Sequence, residues 1–210
     1  MKITWLGHAC FLIEANGKAV VTDPPGVQYG YKLPDVTADV VTISHNHNDH
    51  NAADLIHGKP VVISQPGLTR VGDISFKGIV TYHDKQQGRL RGKNVVFVIQ
   101  AEGLTVAHLG DLGEQPGEQI LSEIGPVDIL LAPVGGTYTL DGPEMKTLID
   151  QLKPGITIPM HYMTPDVTIQ LAPLEDFTRL YPTVVKKPFL SLSAEQVNTL
   201  PEVVVLDYHR

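Results

Sequence analysis

The chain has one cysteine, one tryptophan and aromatic residues at only 6% of its 210 positions. A lone Cys10 rules out an internal disulfide, and its place in the apolar run "ACFLI" marks a buried, inert thiol. In the opening "MKITWLGHACFLIEANGK", His8 and Glu14 interrupt the apolar residues before a signal-peptide core can form. No run approaches the roughly 18 apolar residues of a membrane span. A cytoplasmic, reducing location is therefore expected. Positive charge is also scarce, with 16 Lys+Arg against 23 Asp+Glu and a net charge of −7. The longest basic cluster is the pair Lys186 and Lys187, so neither nucleic acid nor an anionic membrane is an expected partner.

What is present is a 42% hydrophobic chain punctuated by 19 Gly and 16 Pro, which is the composition of a compact, loop-rich protein and is read as a single domain over 1–210. Short β-type runs recur: "KITWL", "CFLIEA", "KAVVT", "DVVTI", "PVVIS", "GIVTY", "NVVFVIQ", "LTVAHL", "VDILLAP", "GITIPM" and "EVVVLDY". "ANGK" and "QAEGLT" join successive runs as tight hairpins. Helical periodicity is concentrated in the second half. Asp141 and Glu144 have capping-box spacing ahead of Met145, Leu148, Ile149 and Leu152 on one face, and Pro154 stops the run. A weaker helix is expected from about Pro116 to Ile124, ending at Gly125. Strand hairpins followed by alternating strand and helix predict an α/β fold, two packed sheets with helices outside in a four-layer αββα sandwich.

The stretch "SHNHNDH" at 44–50 carries the strongest chemical signal. It follows the buried run "DVVTI", and the C-terminal ends of strands are where α/β folds place their sites. In an extended backbone His45, His47 and Asp49 share one face and His50 points elsewhere. Imidazole nitrogen and carboxylate oxygen together suit Zn²⁺, and the same mixture accepts Mn²⁺ or Fe²⁺. Two ions roughly 3.5 to 4 Å apart would activate a bridging water and stabilise the oxyanion it forms. The segment supplies four ligands, so the others must come from elsewhere. Asn46 and Asn48 read as spacers.

These residues match the HxHxDH signature of the metallo-β-lactamase superfamily, and the blocks "LGHACFLIE", "VVTDP", "YHDKQQGRLRGKNVVFVI", "VAHLGDLG", "LLAPVGGTYTLDG" and "IPMHY" resemble, in order, its small UlaG-like branch of ascorbate-6-phosphate lactonase relatives. The resemblance implies two divalent metal ions, one held by His45, His47 and His83 and the other by Asp49, His50 and His161, with Asp111 bridging them. It implies a metal-dependent hydrolase that cleaves an ester-type bond, a lactone or a phosphodiester, in a small anionic substrate. Asp49 and Asp111 would position the attacking water, and Asp49, His8 or a water would protonate the leaving group. Asp23 in "VTDP" would hydrogen-bond the metal loop rather than a metal.

Alternatives accompany several of these residues. His108 competes with His83 as third ligand of the first ion, but His83 ends a strand whereas His108 lies within one, so His83 is preferred. His8 is either a pocket residue or a packed histidine. His57 and His209 are read as surface residues. Gly135 and Gly136, ahead of Thr137 and Tyr138, either let backbone approach a ligand or only shape a turn. Tyr29 and Tyr31 lie in "PPGVQYGYKLP", either a substrate-facing lid or a plain surface loop. Arg89 and Arg91 are too few for an RNA-gripping channel, and no added flavin or rubredoxin domain is expected, which disfavours the oxygen-reducing relatives. The rival function is a non-catalytic protein that senses or sequesters a ligand through bound metal. A homo-oligomer is left open.

Overall fold

A computed structural model of the chain describes residues 1–208. His209 lies outside them. Two sheets face each other across the main hydrophobic core. The first has six strands in the order β13-β1-β2-β3-β4-β5, where β1 is Lys2–Gly7, β2 Cys10–Ala15, β3 Lys18–Thr22, β4 Val40–Thr42, β5 Val61–Ile63 and β13 Leu190–Ser191. The second has eight in the order β12-β14-β11-β10-β9-β8-β7-β6. Its strands are β6 Gly67–Val71, β7 Ile74–Tyr82, β8 Lys93–Ala101, β9 Leu104–His108, β10 Ile129–Pro133, β11 Ile156–Met160, β12 Val184–Lys187 and β14 Val203–Leu206.

Alternation along the strands divides the first sheet's side chains between two environments. Ile3, Trp5, Phe11, Ile13, Val20 and Val40 enter the core between the sheets. Leu6, Cys10, Val21 and Val41 point the other way, into a smaller cluster closed by Val36, Ala38 and Ile56. That outer layer is loop together with the 3₁₀ turns Val27–Tyr29 and Ala53–Leu55, where the sequence led us to expect helix. On the second sheet β10 and β11 are buried along their whole length, as parallel strands covered on both faces must be. Helices α1 (Glu118–Ile124) and α2 (Gly142–Leu152) make the crossovers on either side of β10, and the short α3 (Glu175–Thr178) packs on α2.

Local chemistry accounts for these elements. Asp141 caps α2 with the reciprocal Glu144 bond, Met145, Leu148 and Ile149 are buried beneath it, and Lys153 ends it in a left-handed conformation. Both hairpins form where the spacing predicted, with positive φ at Asn16 and Gly17 and at Glu102 and Gly103, as type I′ turns require. Three strands have no counterpart in the sequence reading. β6 is mostly exposed, and β12 and β13 are short edge strands, so none carries a clean alternation of apolar residues. Among the described residues no helix is long and apolar enough to cross a membrane.

Candidate metal centre

Every residue of the expected ligand set stands at or just beyond the C-terminal end of a strand. His8 follows β1, Asp23 follows β3, and the 44–50 segment follows β4. From the second sheet, His83 follows β7, Asp111 lies three residues past β9, and His161 follows β11. The loops meet at one edge of the sandwich. His8 O accepts hydrogen bonds from His161 N (3.1 Å) and Trp5 Nε1 (3.0 Å), which ties a first-sheet turn to a second-sheet turn. His8 (φ 54°), Asp23 (φ 37°) and His161 (φ 54°) all sit in the left-handed region. Such backbone costs a non-glycine residue about 1–3 kcal/mol and collects at functional sites.

Two groups of donors result, each with its ligating atoms within 4.8 Å of one another: His45, His47 and His83 in one, and His8, Asp49, His50 and His161 in the other. Asp111 lies between them. Its Oδ2 is 3.3 Å from Nε2 of His50, His83 and His161 and 3.9 Å from Nε2 of His45. A third set, Asp23, His45 and His50, is equally close together. There Asp23 faces the back of the histidines: Oδ2 accepts from His50 Nδ1 at 2.9 Å and from Ser44 Oγ, and Oδ1 accepts from Ser44 N at 2.7 Å.

The 44–50 segment is bent rather than extended, and a turn closed by His50 N donating to His47 O (2.9 Å) ends it. That turn moves Asp49 away from the face it would share with His45 and His47 on a strand, and groups it with His50. His83 stands with His45 and His47. His108 is fully buried elsewhere, its Nε2 2.8 Å from Ala9 O and its Nδ1 accepting from Gly110 N at 3.3 Å. His57 is exposed and pairs with Asp35.

Most of the cluster is buried, and its electrostatics follow from that. His8, His50, His161 and Asp23 are wholly inaccessible, and Asp111 is 2% exposed. Burial, helped by His161, pushes His8 down to about 4. Burial and His50 push His45 down to about 3. His50 goes the other way: burial lowers it, but Asp111, Asp23 and Asp49 together hold its proton well above the ordinary range. Burial raises the Asp111 carboxyl, yet His161 and His50 outweigh it and keep it ionised. Asp49 is likewise lowered, with His50 and His8 overcoming burial.

Nε2 of His45, His50 and His161 and Oδ1 of Asp111 are buried with no hydrogen-bond partner. Orphaned buried polar atoms are costly, and here they converge. The donor set of imidazole nitrogen and carboxylate oxygen fits divalent transition metals.

A cavity of about 370 Å³ opens onto this edge, lined in part by Tyr29, His47, Asp49, His83, Asp111 and Tyr138. Tyr29 faces it, whereas Tyr31 is buried behind His8 with its hydroxyl 2.8 Å from Thr164 Oγ1. Asn46 and Asn48, expected as spacers, line the same cavity. Gly135 serves the backbone rather than a ligand, since a Cβ there would lie 2.0 Å from His161 O.

Two positioning residues escaped the sequence reading. Ser44 bonds Asp23 and approaches His45 Nδ1 at 2.9 Å. Asn94 is fully buried and receives Asp111 N on its Oδ1 at 3.0 Å while its Nδ2 donates to Leu109 O and Thr81 Oγ1. An amide at the start of the apolar run "NVVFVIQ" was the available signal.

A two-sheet sandwich with histidines and aspartates gathered at one edge defines a metallo-β-lactamase-fold protein. Known proteins agree with that class. The β-lactamase superfamily domain pattern matches residues 2–161. A UPF0173 metal-dependent hydrolase from Carboxydothermus hydrogenoformans is 31% identical over 89% of this chain and 96% of its own. A UPF0173 protein from Pyrococcus abyssi is 35% identical over 78% and 84%. The crystal structure of a metallo-β-lactamase superfamily protein from Thermotoga maritima is 42% identical, covers 99% of both chains and superposes with a TM-score of 0.84. The chain belongs to the UPF0173 metal-dependent hydrolase family of the metallo-β-lactamase superfamily.

Proposed function

We propose that this hydrolase uses a dinuclear centre to cleave an ester-type bond in a small anionic substrate. His45, His47 and His83 would hold one ion, Asp49, His50 and His161 the other, and Asp111 both. The observation that carries this reading is the position of Asp111 Oδ2, 3.3–3.9 Å from four histidine Nε2 atoms drawn from the two groups. When bound, such ions lower the pKa of water from about 15.7 toward 7 and polarise the electrophile.

The protein's own residues do the rest. Asp23 and the Tyr138 carbonyl, 2.9 Å from His50 Nδ1 and 3.0 Å from His83 Nδ1, fix the tautomers that turn both Nε2 atoms inward. Asp49 Oδ2 lies 3.2 Å from His8 Nε2. With Asp49 ionised and His8 neutral, the pair can accept the proton released by the attacking water and pass it on to the departing group, with His8 wholly shielded from water. Zn²⁺ is the first choice of metal on ligand chemistry, and the cytoplasm, where Cys10 stays reduced, is the proposed location. A lactone is the leading ester class, by likeness to the UlaG-like lactonases.

The test is elemental analysis of protein never exposed to chelator, followed by a hydrolysis panel of lactones, phosphodiesters and thioesters after metal reconstitution. Two ions per chain with turnover of one class is the expected result. Fewer than one ion overturns the dinuclear reading. Bound metal with every ester inert favours a sensing role.

A further inference from the structure

Resting on the hydrolase reading, one residue outside the metal cluster points to how the substrate is held. Arg91 lines the same cavity as His47, Asp49, His83 and Asp111, and it is the only Lys or Arg among the described residues that do so. It lies in the loop that leaves β7 through His83. Asp84, just after His83, accepts hydrogen bonds from the backbone N–H groups of Gln86, Gly88, Leu90 and Arg91. Gly92 closes the loop, its N–H donating to Gly88 O and its carbonyl accepting from His83 N. Gly88 (φ 77°) is required where a Cβ would come 2.8 Å from Gly92 O. The backbone at Arg91 is therefore fixed relative to His83.

Its side chain is also held. The guanidinium carbon lies 4.0 Å from the centroid of the Tyr138 ring, a cation–π stack. Tyr138 is the residue whose carbonyl faces His83 Nδ1. Stacking occupies the face of the guanidinium and leaves its N–H edge for bidentate contact with an oxyanion. Among the described residues no carboxylate forms an ion pair with that edge, although acids outnumber bases 23 to 16 in the chain. An unpaired, pre-oriented guanidinium beside a metal-binding cluster has the form of a docking point.

We propose that Arg91, propped on Tyr138, anchors a carboxylate or phosphate group of the substrate remote from the bond that is cleaved. The substrate is then a small ester with an anionic arm, sized to a cavity of about 370 Å³. Tyr138 is a positioning residue, and Arg91 sets specificity.

The test compares Zn²⁺-reconstituted wild type with Arg91→Gln and Arg91→Lys, using 4-nitrophenyl butyrate as a neutral ester and 4-nitrophenyl hydrogen succinate as an anionic one. The expected result is a fall of about 10- to 100-fold in the ratio of kcat/KM for the anionic to the neutral ester in Arg91→Gln, carried by KM, the scale of a lost charge-assisted hydrogen-bond pair. Arg91→Lys, which keeps charge without the planar fork, should fall between them. An unchanged ratio overturns the proposal, whether the two rates stay put or drop together. Calorimetric titration of the same proteins with succinate and with inorganic phosphate gives a second readout. At least tenfold weaker binding of either anion to Arg91→Gln supports the anchor, and the anion that loses more identifies the arm. Equal binding of both overturns it. If wild type hydrolyses no ester, the hydrolase reading fails, and the titrations still decide the role of Arg91.

Discussion

Replacing Asp23 by asparagine tests how far the carboxylate behind the metal loop governs the front of it. Asp23 is wholly buried and its two oxygens receive Ser44 N, Ser44 Oγ and His50 Nδ1. Its carboxyl stays ionised despite burial because His108 and His50 outweigh the desolvation. Asparagine is nearly the same shape but presents an NH₂ group where one oxygen stood. If the NH₂ faces His50, two donors meet, and the imidazole must shift its proton to Nε2, the atom that points toward Asp111. If it faces Ser44 N, the loop loses its backbone tether. Either outcome costs a hydrogen bond to a charged group, about 1.5–3 kcal/mol. It should weaken metal binding by about 10- to 100-fold, the usual scale for partners behind a ligating histidine. The assay is competition for Zn²⁺ against a chromophoric chelator, with a thermal melt of the metal-free protein to show that Asp23→Asn is folded. Affinity within twofold of wild type in a folded variant would refute the idea that Asp23 sets the His50 tautomer.

Further outcomes follow from the same structure. In the metal-free protein His8, His45, His83 and His108 all have pKa values lowered chiefly by burial. They take up protons on unfolding, so stability should fall as pH drops from about 6.5, the unfolded value, toward 4. His50 opposes this, since its raised folded value gives stability that is full below about 6.5, the unfolded value, and is lost as pH rises from there through the raised folded value. With four groups against one, the melting temperature of chelator-treated protein should be lower at pH 5 than at pH 7, and a flat or reversed profile would contradict the burial argument. Gly135→Ala places a Cβ 2.0 Å from His161 O. Overpacking of this kind costs about 1–3 kcal/mol, and because the clash displaces the His161 turn, metal content should fall relative to wild type. Asp141→Ala removes the capping box of α2. It should cost about 1 kcal/mol, seen as a melting temperature lower by about 2–4 °C, with metal content unaltered.

The legible parts of the sequence were those where local chemistry decides. Asn16-Gly17 forms a hairpin because Asn and Gly tolerate consecutive positive φ, Gly103 supplies the same freedom beside Glu102, and Asp141 with Glu144 caps a helix through that spacing. Strand ends bearing His83, Asp111 and His161 could be found because apolar runs stop there. What eluded reading depends on tertiary contact. The turn that groups Asp49 with His50 is a local exception: period-two alternation does not foresee it, and only the family resemblance placed the two residues together. Ser44 and Asn94 are ordinary polar residues until Asp23 and Asp111 are brought against them. Asn46 and Asn48 look like spacers because nothing in their spacing reveals the cavity they line.

The division of the candidate donors between the sheets explains why strain is tolerated at this edge. One donor group takes His45 and His47 from the first sheet and His83 from the second; the other takes His8, Asp49 and His50 from the first and His161 from the second. Neither sheet alone presents a complete group, so the two must be registered to within hydrogen-bond tolerance. That registration falls to the turns at His8 and His161, whose left-handed backbones are locked together by the bond from His161 N to His8 O. The core behind them fixes the separation of the sheets, with Trp5 both buried in that core and hydrogen-bonded to His8 O. Residues with unfavourable φ are thus held from both sides by packing that the rest of the fold would have to give up to relax them.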